Sequence, residues 1–130
     1  MAKTATAKKN QIVEAADEKI LEIVQKTLDD NKAEDIEVLD LRGKTSITNF
    51  MVIASGTSQR HVSALSEYVY EALKKQGFKS DVEGKANADW VLIDAFDVIV
   101  HIFKPEVREF YNLEKMWKSL LTAKPTDENK

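Results

Sequence analysis

The chain contains no cysteine in its 130 residues. That absence removes disulfides, thiolate nucleophiles and thiolate metal ligands together. Nor does any apolar run approach the roughly 18 residues that a bilayer span requires, so no membrane partner is expected. The opening MAKTATAKKNQ carries lysines with no apolar stretch behind them, which is unlike a secretory signal, and a cytoplasmic protein is the simplest expectation. Positive charge is also scarce, with 19 Lys and Arg against 22 Asp and Glu and a net charge of −3. Nonspecific wrapping of nucleic acid rests on Lys and Arg neutralising phosphates, so little or no direct nucleic-acid contact is expected. The charge is compatible with docking onto a basic protein surface, although a small negative charge is also what most soluble proteins carry.

Charged residues at 32% and hydrophobic residues at 43% give the balance of a globular chain, and 130 residues suffice for one core. The organisation expected is a flexible tail over 1–10, a single domain over 11–121 and a second flexible tail over 122–130. From Gln11 to about Leu28, the apolar residues Ile12, Ala16, Ile20, Ile23, Val24 and Leu28 recur at three and four, one stripe of a helix. DIEVLDL (35–41) predicts a strand, and NFMVIASG (49–56), apolar almost without alternation, predicts a strand covered on both faces. Ser58 can cap a helix whose stripe is Val62, Leu65, Val69, Ala72 and Leu73, ended by Gly77. FKSDVEG (78–84) is a weak strand suited to a sheet edge. WVLIDA and DVIVHIF predict a hairpin around Ala95-Phe96-Asp97. After Pro105, EVREFYNLEKMWKSLL predicts one helix that turns Val107, Phe110, Tyr111, Met116 and Trp117 toward the core or a partner. The fold class is therefore α/β of the mixed, α+β kind: about five strands in a mixed sheet flanked by helices.

Residue chemistry alone leaves the function open. Ser55-Gly56-Thr57-Ser58 links a buried strand to a helix start and could hold a phosphate, but it has neither the spacing nor the lysine of a P-loop, and an ordinary capped turn explains it as well. Asp94 and Asp97 could serve as metal ligands or an acid/base pair, yet Asp is equally at home at a hairpin corner. His101, four residues beyond Asp97 on a strand, lies about 13 Å along the chain, too far for one coordination sphere. A hydrogen-bonded structural role suits His101, and His61 is undecided. Trp90 follows a small, acidic loop and is either an interface anchor or part of the packing beneath the hairpin.

Three blocks add information: ITNFMVIASGTSQRHVSALSEYV, EGKANADWVLIDAFDVIVHIF and EVREFYNLEKMW. Together they closely resemble the ribosomal silencing factor RsfS family, also called Iojap-related proteins, over approximately Ile12 to Leu121. The resemblance implies a nucleotidyltransferase-like fold without the catalytic motif. True nucleotidyltransferases place an Asp-x-Asp pair after a Gly-Ser turn, whereas VSALSEYVYEALKKQ, following Ser55-Gly56, contains no Asp. It further implies a non-enzymatic task without a cofactor. Family members bind ribosomal protein fourteen of the large ribosomal subunit on the face that meets the small subunit, and so block subunit joining when nutrients run short. Two alternatives stand beside this one: a large-subunit assembly factor, and a metal-dependent enzyme on the same fold.

Within the resemblance, Trp90 is expected as an apolar anchor and Asp94 and Asp97 as acceptors for Arg or Lys of the partner. Tyr111 and Glu114 are further candidates. Phe96 stands where family members often carry Gly, which would allow the positive φ of a tight turn; Phe adopts it reluctantly. Another turn type, or an outward Phe96 that adds to the contact surface, is expected. The same apolar surface would also serve a homodimer off the ribosome.

Overall fold

A computed structural model describes the backbone of residues 2–122 and the side chains of residues 16–121. In chain order the elements are α1 (Ala2–Asp30), β1 (Glu34–Asp40), β2 (Phe50–Ser55), α2 (Gln59–Lys75), β3 (Asp81–Glu83), β4 (Trp90–Ala95), β5 (Val98–Phe103), α3 (Pro105–Tyr111) and α4 (Leu113–Thr122). The five strands form one sheet in the order β1-β2-β5-β4-β3. β2 and β5 run parallel with Phe50 opposite Val98 and Ser55 opposite Phe103, and every other pairing is antiparallel.

The mixed sheet follows from the residue patterns. β2 is buried at every position, as its unbroken apolar run predicts for a central strand with cover on both faces. On one face Phe50, Val52 and Ala54 of β2 join Val98, Val100 and Ile102 of β5 and Val91, Ile93 and Ala95 of β4. α1 lays Ile20, Val24 and Leu28 on that face, and α2 lays Val62, Leu65, Val69 and Leu73. Each such side chain, fully withdrawn from water, stabilises the fold by about 1.5–3 kcal/mol relative to exposure. On the other face Met51, Ile53, Phe103, Leu39 and Leu41 form a smaller cluster, covered by Val107 of α3 and by Leu113, Trp117 and Leu121 of α4. That cover reaches β4 only at Trp90, leaving Leu92 and Ile99 half-buried and Asp94 exposed.

Ser58 caps α2 as expected, its side chain accepting from the His61 N–H, and Gly77 follows the helix with φ +87°. β3 lies at the sheet edge. Two expectations are corrected. α1 begins at Ala2 rather than Gln11, because the Ala- and Lys-rich opening costs little as helix; the segment expected as a tail over 1–10 is thus helical in its described backbone. The single helix after Pro105 is two helices, broken at Asn112, which takes a left-handed conformation (φ 47°) and donates its N–H to the Arg108 carbonyl. Asn is among the few residues that enter this region readily. The break leaves Phe110, Tyr111 and Met116 exposed, while Val107 and Trp117 reach the second cluster. The expected tail over 122–130 lies outside the described residues, apart from the backbone of Thr122 at the end of α4.

Candidate interaction site

The turn from β2 to α2 is closed on itself. The Gly56 N–H donates to the Phe103 carbonyl at 2.9 Å, the Thr57 N–H to His61 Nδ1 at 2.9 Å, and the Val62 N–H to the Ser58 carbonyl at 2.9 Å. Since Nδ1 of His61 accepts, its Nε2 carries the proton and faces the Asn31 carbonyl at 3.0 Å. The Ser55 hydroxyl accepts from Arg108 Nη1 at 2.8 Å. The Gly56 and Thr57 amides and the Ser55 hydroxyl thus already have partners within the chain. A side chain at Gly56 has no room either, because a Cβ there would stand 2.9 Å from the Val62 backbone nitrogen. His61 therefore fastens the turn to the end of α1.

At the opposite end of the sheet, the β4–β5 turn has Phe96 at φ +60° and no positive φ at Asp97, the pattern of a type II′ hairpin. Phe96 thus takes the glycine-like conformation despite its Cβ, and its side chain projects outward, 66% exposed. The Asp97 carbonyl is a hub: it accepts from the Asn49 N–H (2.8 Å), the Phe50 N–H (3.0 Å) and the Thr48 hydroxyl (2.7 Å). Asp97 lies near the buried Asp17 of α1, whose carboxyl receives Asn49 Nδ2 at 2.7 Å. Burial first, then the charge of Asp97, raises the Asp17 carboxyl above its ordinary range, opposed by the Asn49 hydrogen bond. Asp94 faces the other side of the sheet, directly across from Asp81 of β3. Like charges so placed repel one another. Among the described residues, no three His, Asp or Glu side chains are grouped to hold a metal ion.

Trp90 is far from that corner. Strand geometry puts it about 13 Å from Asp94 and about 20 Å from Phe96. Its indole N–H donates to Nδ1 of His101 at 2.9 Å, and its ring stacks on Phe103 (centroids 4.8 Å) and tilts against Tyr111 (5.0 Å). Phe110 meets Tyr111 edge-on at 5.0 Å. The cluster begins in the core at Phe103, 1% exposed, and ends in water at Tyr111 and Phe110, 53% and 80% exposed. Trp90 is thus part of the packing on the second cluster, with part of its surface open to solvent. His101 accepts from the indole and is buried; loss of water pushes its pKa down to about 4, which makes it a neutral structural residue. Gly84 permits the approach of the preceding loop, since a Cβ at its φ of +86° would strike the Trp90 carbonyl oxygen.

Beside these rings lies an open groove of about 580 Å³, lined by Trp90, Phe110 and Tyr111 with Asp89 and Glu106 at its rim. Lys104 reaches both acids, at 3.7 Å and 3.1 Å. Glu114 is turned away from it. Its carboxylate takes Nε and Nη2 of Arg108 at 2.7 and 3.0 Å, and that hydrogen-bonded cation holds its carboxyl below the usual range. The structure therefore gathers Trp90 and Tyr111, places Asp94, Phe96 and Asp97 at the far end of the hairpin, and assigns Glu114 an internal partner. Sequence reasoning missed Arg108, Asp89 and Glu106. Their roles come from the corner at Asn112 and from the loop before β4, neither of which carries a periodic signal.

No helix of the described residues is long and apolar enough to cross a membrane. The family model described as "Ribosomal silencing factor during starvation" matches residues 12–130, running past Leu121 into the segment expected as a tail. The chain is 50% identical over 101 residues to ribosomal silencing factor RsfS of Zymomonas mobilis, covering 77% of this chain and 76% of that one. It is 46% identical over 99 residues to RsfS of Haemophilus influenzae, covering 75% of this chain and 97% of the relative. Among solved structures, a Chromobacterium violaceum protein matches with a TM-score of 0.76 and 38% identity, over 83% of this chain and 88% of that one.

Proposed function

The chain belongs to the ribosomal silencing factor RsfS family, and from that premise we propose that it binds the large ribosomal subunit through ribosomal protein fourteen and sterically blocks subunit joining. Translation then falls when nutrients are short, and the site of action is the cytoplasm. The observation that carries this proposal is the family match, which spans almost the whole chain rather than one motif. The exposed end of the aromatic cluster gives it a physical means. Aromatic residues rising from a packed base present a rigid apolar surface that loses little entropy on contact.

Occlusion requires affinity and bulk, not a reactive group. A standard interface buries about 800 Å² on each partner, roughly 30 Å across. A footprint of that size with Trp90 and Tyr111 toward one edge reaches Asp94, about 13 Å along β4, and the hairpin tip at Phe96 and Asp97, about 20 Å away. In this arrangement Trp90 and Tyr111 are anchors, Asp94 on the open face accepts from a basic partner, and Asp97, set toward α1, stands at the margin of the contact. Glu114 acts only by holding Arg108, and so the α3–α4 corner, in place.

Sucrose-gradient sedimentation of purified small and large subunits, with and without the protein, tests the proposal. The joined-ribosome peak should shrink and the protein should travel with the large subunit. Unchanged joining with the protein in excess would overturn it.

A further inference from the structure

We propose that the groove between Trp90, Phe110 and Tyr111 receives an arginine side chain of the large-subunit partner, its guanidinium against the rings and beside the carboxylates of Asp89 and Glu106. This deepens the docking function proposed above and rests on it. Three features of the groove select this occupant.

Trp90 is fixed and has no donor to spare. The only indole N–H of Trp90 is spent on His101, and the ring is held between Phe103 and Tyr111. A partner group that needs a hydrogen-bond donor from Trp90 finds none. A flat cation finds the exposed rings of Phe110 and Tyr111. Phe110 stands at the mouth, 80% exposed, where its ring covers nothing large within the chain.

The rim carries unbalanced negative charge. Asp89 and Glu106 share the single ammonium of Lys104, and Asp89 also accepts from Gln59 Nε2 at 2.9 Å. The other cations nearby are engaged elsewhere: Lys85 pairs with Glu67, and Arg108 is turned inward to Glu114 and Ser55. An incoming anion would meet repulsion, and a purely apolar side chain would strip water from the acids with nothing in return.

Between the two basic side chains, the site favours arginine. A guanidinium is planar, weakly hydrated and forked, so it can lie on a ring and bond a carboxylate at its edge together. A lysine ammonium is compact and keeps its water more firmly.

The test measures binding of the full chain to purified large subunits across a salt series, with circular dichroism to confirm each fold. Because Phe110 is so exposed, its variants keep the structure. Phe110→Leu retains apolar bulk but loses the π face, and should weaken binding about three- to tenfold, while Phe110→Trp should match or exceed the parent. Glu106→Gln should weaken binding and flatten its salt dependence. Argininamide should compete better than lysinamide at equal ionic strength. If Phe110→Leu binds like the parent, the contact is not cation–π and the proposal fails. Equal competition by the two amides would also overturn it. In either case large-subunit binding itself persists, whereas a parent chain that never binds the subunit sinks the silencing function and this contact together.

Discussion

The Trp90 indole donates its N–H to Nδ1 of His101 across the β4–β5 pair, and this one bond fixes both the tautomer of a buried histidine and the orientation of a half-buried tryptophan. Because the indole can only donate, the neutral ring of His101 carries its proton on Nε2. Core and surface are coupled here through a single hydrogen bond.

A pH dependence follows. The ordinary histidine pKa is 6.5, and in the fold burial takes it to about 4. Above pH 6.5 both folded and unfolded chains hold the ring neutral, and stability is full. As pH falls from 6.5 to about 4, the unfolded chain takes up a proton that the folded one refuses, and stability declines, by about 3 kcal/mol at most. Urea midpoints measured between pH 7 and 4.5 should fall, and the slope should lessen in a His101→Gln variant.

Phe96 is the position where replacement should help. Its φ of +60° suits glycine, and its ring is mostly in water. Phe96→Gly should stabilise the hairpin by about 0.5–1 kcal/mol, read as a higher urea midpoint with unchanged slope. Because the proposed docking footprint includes the hairpin tip, the same variant should bind large subunits less tightly while being more stable.

Asp17 gives a change of opposite pH sense. A carboxyl whose folded pKa is raised binds its proton more tightly when folded, so its contribution worsens as pH rises through that value. Asp17→Asn keeps an acceptor for Asn49 and removes a buried charge facing Asp97. Melting at pH 7 should shift upward, and the gain should shrink toward pH 4.

Breaking the Arg108–Glu114 pair should be costly. The side chains are 11% and 21% exposed, and either partner left alone is a poorly solvated charge. Arg108→Ala should destabilise by about 3 kcal/mol in equilibrium denaturation, and Glu114→Ala by a similar amount. Restoring part of the loss with the double substitution would mark the penalty as the unpaired charge rather than the missing bridge.

Some of this molecule was plain in the residues. The apolar run of β2, the Ser58 cap and the paired strands around Phe96 were legible because burial, capping and tight turns each leave a local signature. The corner at Asn112 was not. The apolar spacing of FYNLEKMW continues on both sides of it, and one residue in the left-handed region leaves that pattern intact. In an unbroken helix, residues six apart stand on different faces, so nothing pointed to Arg108 and Glu114 as partners. The candidate acids divided for a similar reason. Asp94 and Asp97 are neighbours in the chain, yet strand alternation and the turn send one to the open face and set the other near α1. Trp90 and Tyr111, far apart in sequence, meet only because β5 delivers the chain to α3 beside the start of β4.

The parallel pairing of β2 with β5 also bears on how the chain reaches this state. β2 can join β1 through a short loop, but its other neighbour arrives only after α2, β3 and β4 have been made. Closing so long a loop costs entropy before any contact rewards it. During synthesis, the one strand buried at every position therefore waits half-paired until the segment through Phe103 has emerged, with one whole edge of its backbone still seeking a partner.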